Sequence, residues 1–376
     1  MKINADKEQL LKSIITADAI ISKNVNTILS NCLFNVTENQ VEIISTDNEM
    51  AIRTRFDAVS EGSVSFTANG KKFSSILKEF PEGEIIADIN DTLLVSIKTA
   101  SKEIKGRYSL VGSSAEDYPD IPVFEEKNII EIEQSTLKEM IRKVVYAATH
   151  DTLKTIFNGI LIVIENGSDI TAVATDSRRL AMITRKLDTE NNESGSFIIP
   201  LKTVGELLRL LESSGRCRLS YNERQCFFKI GNTEIISRIV DGLFPDYKHV
   251  IPADHSMDVV VETKKLVDSV RRVSVFTKEP ASKIICKFSG NSLTLEANTP
   301  DLGEAEEELD IENSSTDLMT IGVNSQFLLD CLKEIDSFSI KCGLSGQMSP
   351  ITFVPENDSF YISVIMPIQI KSGYPD

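Results

Sequence analysis

Apolar positions fall at helical spacing in six places along the chain, each time soon after a short β-type run. Three of these patterns open a third of the sequence. Residues 1–4 lead into 8–21, with Leu10, Leu11, Ile14 and Ile15. Residues 129–132 lead into 136–148, with Leu137, Met140, Ile141, Val144 and Val145. Residues 259–261 lead into 263–275, with Leu266, Val267, Val270 and Val273. The other three patterns come midway through each third, at Phe73, Ile76, Leu77 and Phe80, at Val204, Leu207, Leu208 and Leu211, and at Leu328, Cys331, Leu332 and Ile335. Leu77, Leu208 and Leu332 align as equivalents, 131 and 124 residues apart, so the chain reads as three copies of one unit.

The thirds also end alike. Residues 108–111, 236–240 and 361–365 alternate and are rich in β-branched residues, as strands are. Two of them precede similar turns, 117–122 and 243–247, whose prolines end the strand and demand an extended linker. These turns set the expected domains at 1–127, 128–255 and 256–376. Alternating segments such as 41–44, 159–164 and 292–295 lie between the helices. The expected fold class is α+β, each unit packing two helices on antiparallel sheet. The acid-rich tracts 79–91 and 303–312 read as solvated loops and strand faces.

Apolar residues make up 41% of the 376, enough for a core in each unit. No run is long and apolar enough to span a membrane. The first six residues turn polar at once, unlike a secretory signal, so a cytoplasmic location is expected. Cys32, Cys217, Cys226, Cys286, Cys331 and Cys342 then read as reduced core thiols, with a Cys217–Cys226 hairpin bridge as the lesser alternative.

The net charge of −16 argues against a surface that is basic all over. Its distribution changes that reading. The six helical segments together carry +6, which leaves −22 on the rest. Lys138, Arg142 and Lys143 fall between the apolar positions of 136–148, and Lys264, Lys265, Arg271 and Arg272 do so in 263–275. Lys71 and Lys72 open the helix at 70–80. Each such helix has an apolar back and a basic front, which is either an ordinary solvated face or a sequence-independent phosphate attractor.

Chemistry is harder to find. Phosphate-loop, zinc-protease and nucleophile-elbow motifs are lacking, and His150, His249 and His255 form no ligand-spaced cluster. No catalytic residue, metal or cofactor is expected. Asp176 with Arg178 and Arg179 reads as a charged site or, equally well, as a structural strand-end turn. A hydrolase or transferase of triplicated domains would need a catalytic constellation. An acidic peptide-binding scaffold that never encircles DNA would need no basic helix faces, and the charge partition counts against it.

Several segments together carry a specific likeness. Met1-Lys2-Ile3 with Leu10-Leu11-Lys12, residues 72–77 with Pro81-Glu82-Gly83, and Phe157-Asn158-Gly159-Ile160 are joined by three more. These are Ala174-Thr175-Asp176-Ser177-Arg178-Arg179-Leu180-Ala181, Val240-Asp241-Gly242-Leu243-Phe244-Pro245-Asp246-Tyr247 and Val364-Ile365-Met366-Pro367-Ile368. In that order they resemble the bacterial DNA polymerase III beta-subunit family of sliding clamps, from residue 1 to about 368.

The resemblance implies a head-to-tail homodimer whose six domains close a ring around double-stranded DNA. It implies a processivity factor without catalysis of its own. Its partners would be the DNA polymerase III catalytic subunit, the clamp loader and other replication and repair proteins bearing a clamp-binding motif. The family's DNA-contact positions fall on Lys23, where its arginine is replaced, and on His150 and Lys154, with the basic helix faces as diffuse lining. Its peptide pocket maps onto Phe157, Thr175, Ser177, Arg178, Arg179, Leu180, Pro245, Val250, Val364, Met366, Pro367 and Ile368. Phe157 is bulkier than the family's leucine, and Arg178 replaces a frequent histidine. By position, Tyr108 and Leu110 would meet Val275 and Phe276 across the dimer interface.

Overall fold

The computed structural model describes residues 1–376 apart from 22–27, 101–105, 125, 127–128, 152, 166–167, 188–193 and 371–376. Its six α-helices stand where the periodicity puts them: α1 Lys7–Asp18, α2 Gly70–Lys78, α3 Gln134–Val145, α4 Leu201–Leu210, α5 Thr263–Ser274 and α6 Ser325–Lys333. Helix α1 stops at Asp18, three residues before the expected end at Ile21. Three starts are capped by a side-chain oxygen: Asp6 accepts from the Gln9 N–H at 3.0 Å, Asn69 from Lys72 at 2.9 Å and Asn324 from Phe327 at 3.0 Å. Each cap is worth about 1 kcal/mol. No described helix is long and apolar enough to cross a membrane.

The chain divides into two compact units, and the division does not follow the repeats. The first unit holds Met1–Gln134 and Ser213–Ile239, the second Ser135–Glu212 and Val240–Asp376. The reason lies in the sheets. In the first unit a nine-stranded antiparallel sheet runs through Met50–Asp57 of the first repeat directly into Thr233–Arg238 of the second. In the second unit a nine-stranded sheet runs from Arg179–Lys186 of the second repeat into Tyr361–Ile365 of the third. Each of these sheets thus takes its far strands from the repeat that follows.

Two smaller sheets remain. The first unit has a five-stranded sheet, ordered Val59–Ser60, Lys2–Asp6, Glu84–Ile89, Leu94–Thr99, Tyr108–Val111. The second has a four-stranded one, ordered Gly303–Asp310, Ser292–Thr299, Lys283–Ser289, Met319–Asn324. The acidic tract expected to be loops and strand faces therefore contains a full edge strand.

Helix faces and sheet faces close the cores. In the first unit Ile14, Phe34, Phe73 and Leu77 pack in one cluster, with Phe34 and Phe66 stacked at 5.0 Å. A fully buried leucine such as Leu77 contributes on the order of 2 kcal/mol. All six cysteines are free and buried. Cys217 lies across from Ile230 and Cys226 across from Tyr221, so the ladder register keeps the two sulfurs apart and the hairpin bridge does not form.

Candidate peptide groove and basic helix faces

The junction strands of the second unit carry a candidate groove, whose floor pair Leu180 and Val364 is buried under neighbouring side chains. Leu180 stands directly opposite Val364 on the paired strands, and both side chains point to one sheet face. Phe157 and Met182 pack against that pair, and so do Phe244 and Tyr247. The Phe157 ring meets Phe244 edge-on at 6.1 Å, and Phe244 meets Tyr247 likewise at 6.5 Å. Aromatic edges and a flexible thioether give an adaptable apolar wall. Sequence reasoning misses Phe244 and Tyr247 as wall residues, although both lie within the boundary turn 243–247.

A tight turn sets the rim. Thr175 Oγ1 donates to the Arg179 carbonyl at 2.6 Å and accepts from the Ser177 N–H at 3.1 Å. Asp176 Oδ1 accepts the Arg178 and Arg179 N–H groups at 2.8 and 2.9 Å. These bonds hold Ser177 at φ 77°, in the left-handed region. Asp176 is therefore a turn former, the structural one of the two sequence readings. Ser177 Oγ accepts from Lys154 Nζ at 3.0 Å, and Arg178 is exposed beside it. The Met366 N–H donates to the Arg178 carbonyl at 2.8 Å and brings Met366 to the same end, exposed, with Pro367 and Ile368 half-buried. Pro245 and Val250 are exposed on the segment that follows Phe244.

Arg179 is the exception among the expected pocket residues. Strand alternation turns it to the face opposite Leu180. There it binds Asp176 at 3.1 Å and Asp330 at 2.8 Å, and it stacks over Phe327 at 4.4 Å. It braces the sheet against α6 and does not enter the groove.

Part of the basic front of α3 is spent inside the fold. Lys138 Nζ donates to the Leu211 carbonyl at 2.6 Å, satisfying an acceptor at the C-terminal end of α4. Arg142 reaches Asp336 at 2.9 Å and Glu334 at 3.5 Å. Lys143 is buried at 5% exposure, paired with Glu139 at 3.0 Å and Asp358 at 3.3 Å, and lies over the Tyr361 ring. Arg185 joins the same two carboxylates at 2.9 and 2.6 Å. Burial pushes the Glu139 and Asp358 carboxyls up, but their bonds to Arg185 and Lys143 outweigh it and hold both below the usual range. Next to this network Tyr146 shares a 2.6 Å hydrogen bond with Ser363, and burial raises its phenol well above the ordinary value.

Lys138 and Lys143 thus leave the DNA-facing set as junction residues, whereas Arg142, exposed beside its acids like the cations of α5, stays in it. Breaking a buried pair costs several kcal/mol because its partner stays desolvated. We expect Lys143→Ala to lose about 3 kcal/mol in urea unfolding while DNA retention of the folded protein is unchanged. Wild-type stability with weakened retention would return Lys143 to the DNA-facing set.

Helix α5 behaves as the sequence pattern predicts. Lys264, Lys265, Arg271 and Arg272 are exposed, each beside an acid: Asp268, Glu262, Asp268 and Glu307. Exposed pairs contribute ~0–1 kcal/mol, so a phosphate can replace the carboxylate. Lys71, Lys72, His150 and Lys154 are exposed as well, and Lys23 lies outside the described residues. Among the described residues no group of three or more His, Cys, Asp or Glu side chains could hold a metal ion.

One sheet edge and the C-terminal end of α5 carry the expected interface residues. On the Tyr108–Val111 strand Tyr108 is exposed, whereas Leu110 points into the core of its own unit at 7% and offers only its backbone. Val275 is 70% exposed, and Phe276 is half-buried beside Gly303, at the start of the acidic edge strand.

Three family profiles match this chain in sequence: the N-terminal domain of the DNA polymerase III beta subunit over residues 1–122, its central domain over 131–246 and its C-terminal domain over 248–369. Curated relatives named beta sliding clamp include that of Bacillus subtilis, 26% identical over 98% of this chain and 100% of its own. The Proteus mirabilis protein of that name is 29% identical with the same coverage. The crystal structure of the DNA polymerase III subunit beta from Pseudomonas aeruginosa superposes with a TM-score of 0.92 at 26% identity, covering 98% of this chain and 100% of that one. A Pseudomonas aeruginosa clamp bound to griselimycin superposes at 0.91 with the same identity and coverage.

Proposed function

This chain belongs to the DNA polymerase III beta-subunit family, the sliding clamps, and we propose that two copies close head to tail into a ring around duplex DNA. The boundaries 1–127, 128–255 and 256–376 are kept as its clamp domains. The ring tethers the polymerase catalytic subunit through the groove of Leu180 and Val364, takes up the clamp loader and other repair and replication proteins at the same groove, and works in the cytoplasm without catalysis of its own. Lys71, Lys72, Arg142, His150, Lys154, Lys264, Lys265, Arg271 and Arg272 supply diffuse phosphate attraction, together with Lys23.

One observation carries the ring. Each nine-stranded sheet joins the third strand of one repeat's meander to the last strand of the next repeat. The third repeat has such a strand, Gly303–Asp310, at a sheet edge, and the first has its last strand, Tyr108–Val111, at another. Joined between two copies, the four- and five-stranded sheets complete a nine-stranded sheet with the strand order of the second unit's, and they share all but the end strands with the first unit's. The registers transfer as well. Ile52 opposes Ile235 and Ala181 opposes Ser363, which puts Ala305 opposite the partner's Tyr108 and Glu306 opposite the partner's Arg107.

The groove is tested with griselimycin, since a related clamp has been solved bound to it. Met366 is 37% exposed at the groove's end, so Met366→Glu puts a charge there with little effect on folding. We expect at least ~10-fold weaker griselimycin binding by calorimetry, with the thermal midpoint within ~2 °C of wild type. Unchanged affinity would remove Met366 from the groove.

A further inference from the structure

The groove floor of the second unit has a twin in the first. Ala51 opposes Ile236 across the first junction as Leu180 opposes Val364 across the second, and ladder registers counted from the hairpins make the two pairs equivalent. Both floors are buried, Leu180 at 3% and Val364 at 1%, Ala51 at 4% and Ile236 at 3%, and different residues cover them. Phe124, 9% exposed, packs on Ala51, Ile236 and Phe227, with its ring edge-on to Phe227 at 6.2 Å. Arg218 and Lys229 lie over the Phe124 ring at 5.7 and 6.0 Å. Arg53 Nη2 donates to the Ile121 carbonyl at 3.2 Å, as it would to the backbone of a bound peptide.

The covering segment comes from a linker that starts alike in both units. Tyr118-Pro119-Asp120-Ile121 corresponds to Phe244-Pro245-Asp246-Tyr247. The next residue differs, Pro122 in the first linker and Lys248 in the second. Proline holds Ile121 extended, so the chain runs on over the floor and lays Phe124 down. With lysine there, Asp246 accepts the Lys248 N–H at 3.2 Å and starts a 3-10 turn over Tyr247–Val250. That turn leaves Val250, the counterpart of Phe124 by count, 40% exposed.

We infer that residues 121–124 are an internal ligand: the first groove is a peptide site filled by the chain itself, and removing Phe124 opens it to an added peptide. The inference rests on reading the second groove as the peptide site. The ligand class is an extended apolar segment with an aromatic anchor. The two sites are not chemically alike, because the cross-strand pair beside the first floor is Arg53 with Glu234, where the second has Met182 with Ile362. The first groove therefore offers a guanidinium donor to a peptide carbonyl, and the second is apolar there.

The test uses the full-length protein and a blocked hexapeptide copying residues 120–125, Asp-Ile-Pro-Val-Phe-Glu, in calorimetry and thermal unfolding. Phe124→Ala is expected to bind one more hexapeptide per chain than wild type, and the peptide should raise its thermal midpoint. Equal stoichiometry overturns the inference. A second variant leaves the first unit untouched: Lys248→Pro with Val250→Phe copies the covering residues into the second linker. It should weaken griselimycin binding at least ~10-fold, with each factor of ten equal to about 1.4 kcal/mol, and wild-type affinity would count against the inference. If wild-type protein binds no griselimycin, the peptide-site reading itself fails, independently of the stoichiometry at the first groove.

Discussion

On nicked circular DNA the loaded protein is expected to survive a wash at about 0.5 M salt, and to leave within minutes once the circle is cut. Part of the basic helix surface is already bound to protein. Of the basic residues on α3, Lys143 is buried, Lys138 binds a backbone carbonyl and Arg142 is held by two carboxylates. Lys71, Lys72, His150 and Lys154 are exposed, and the exposed cations of α5 are shared with neighbouring acids. A protein that held DNA through phosphate contacts alone would lose affinity by orders of magnitude between ~0.05 and ~0.2 M salt. Retention beyond that range on circles, with rapid loss from ends, means that the link is topological. Equal loss from circular and linear DNA would sink the ring.

The second large effect is at the ring contact. The first junction pairs Arg53 with Glu234 at 3.0 Å, and the transferred register places Glu306 and the partner's Arg107 at the equivalent position with the charges exchanged. Glu304, Glu306 and Glu308 are all exposed on the edge strand, which discourages edge-to-edge association with like copies of itself. Arg107→Glu sets like charges opposite each other at both contacts of the dimer. At about 1–1.5 kcal/mol per contact, the dimer dissociation constant should rise roughly 100-fold in sedimentation equilibrium. Glu306→Arg should do the same. The double variant restores opposite charges and should return to within about threefold of wild type. A double variant no better than either single one would refute the register.

The helices are legible in the sequence because each is amphipathic over two to three turns, and local spacing is enough to show which side faces a core. The last strands of the repeats are legible for the same reason at period two. The groove is legible only through family likeness. Leu180 and Val364 are ordinary strand apolars, and they become a floor because the second junction places them opposite each other, 184 residues apart in sequence. Arg179 falls on the other face because a motif names residues without regard to alternation. Helix α3 misleads more deeply. Its cations fall on the face that periodicity assigns to solvent, yet Asp358, Glu334 and Asp336 from the third repeat come to meet them.

Three repeats, their helices and strands, the α+β class and a net charge of −16 concentrated away from the helices can all be read from the residue order. Those features follow from local patterning, which depends on neighbours a few residues away. Only the folded chain shows that the sheets cross the repeat boundaries, that Lys138 and Lys143 of α3 bind protein while the cations of α5 stay exposed, and that Phe124 covers the first junction where its counterpart Val250 stays exposed at the second. Each of these depends on which distant strand supplies the partner, and hydrophobic periodicity marks a buried face without naming what will cover it.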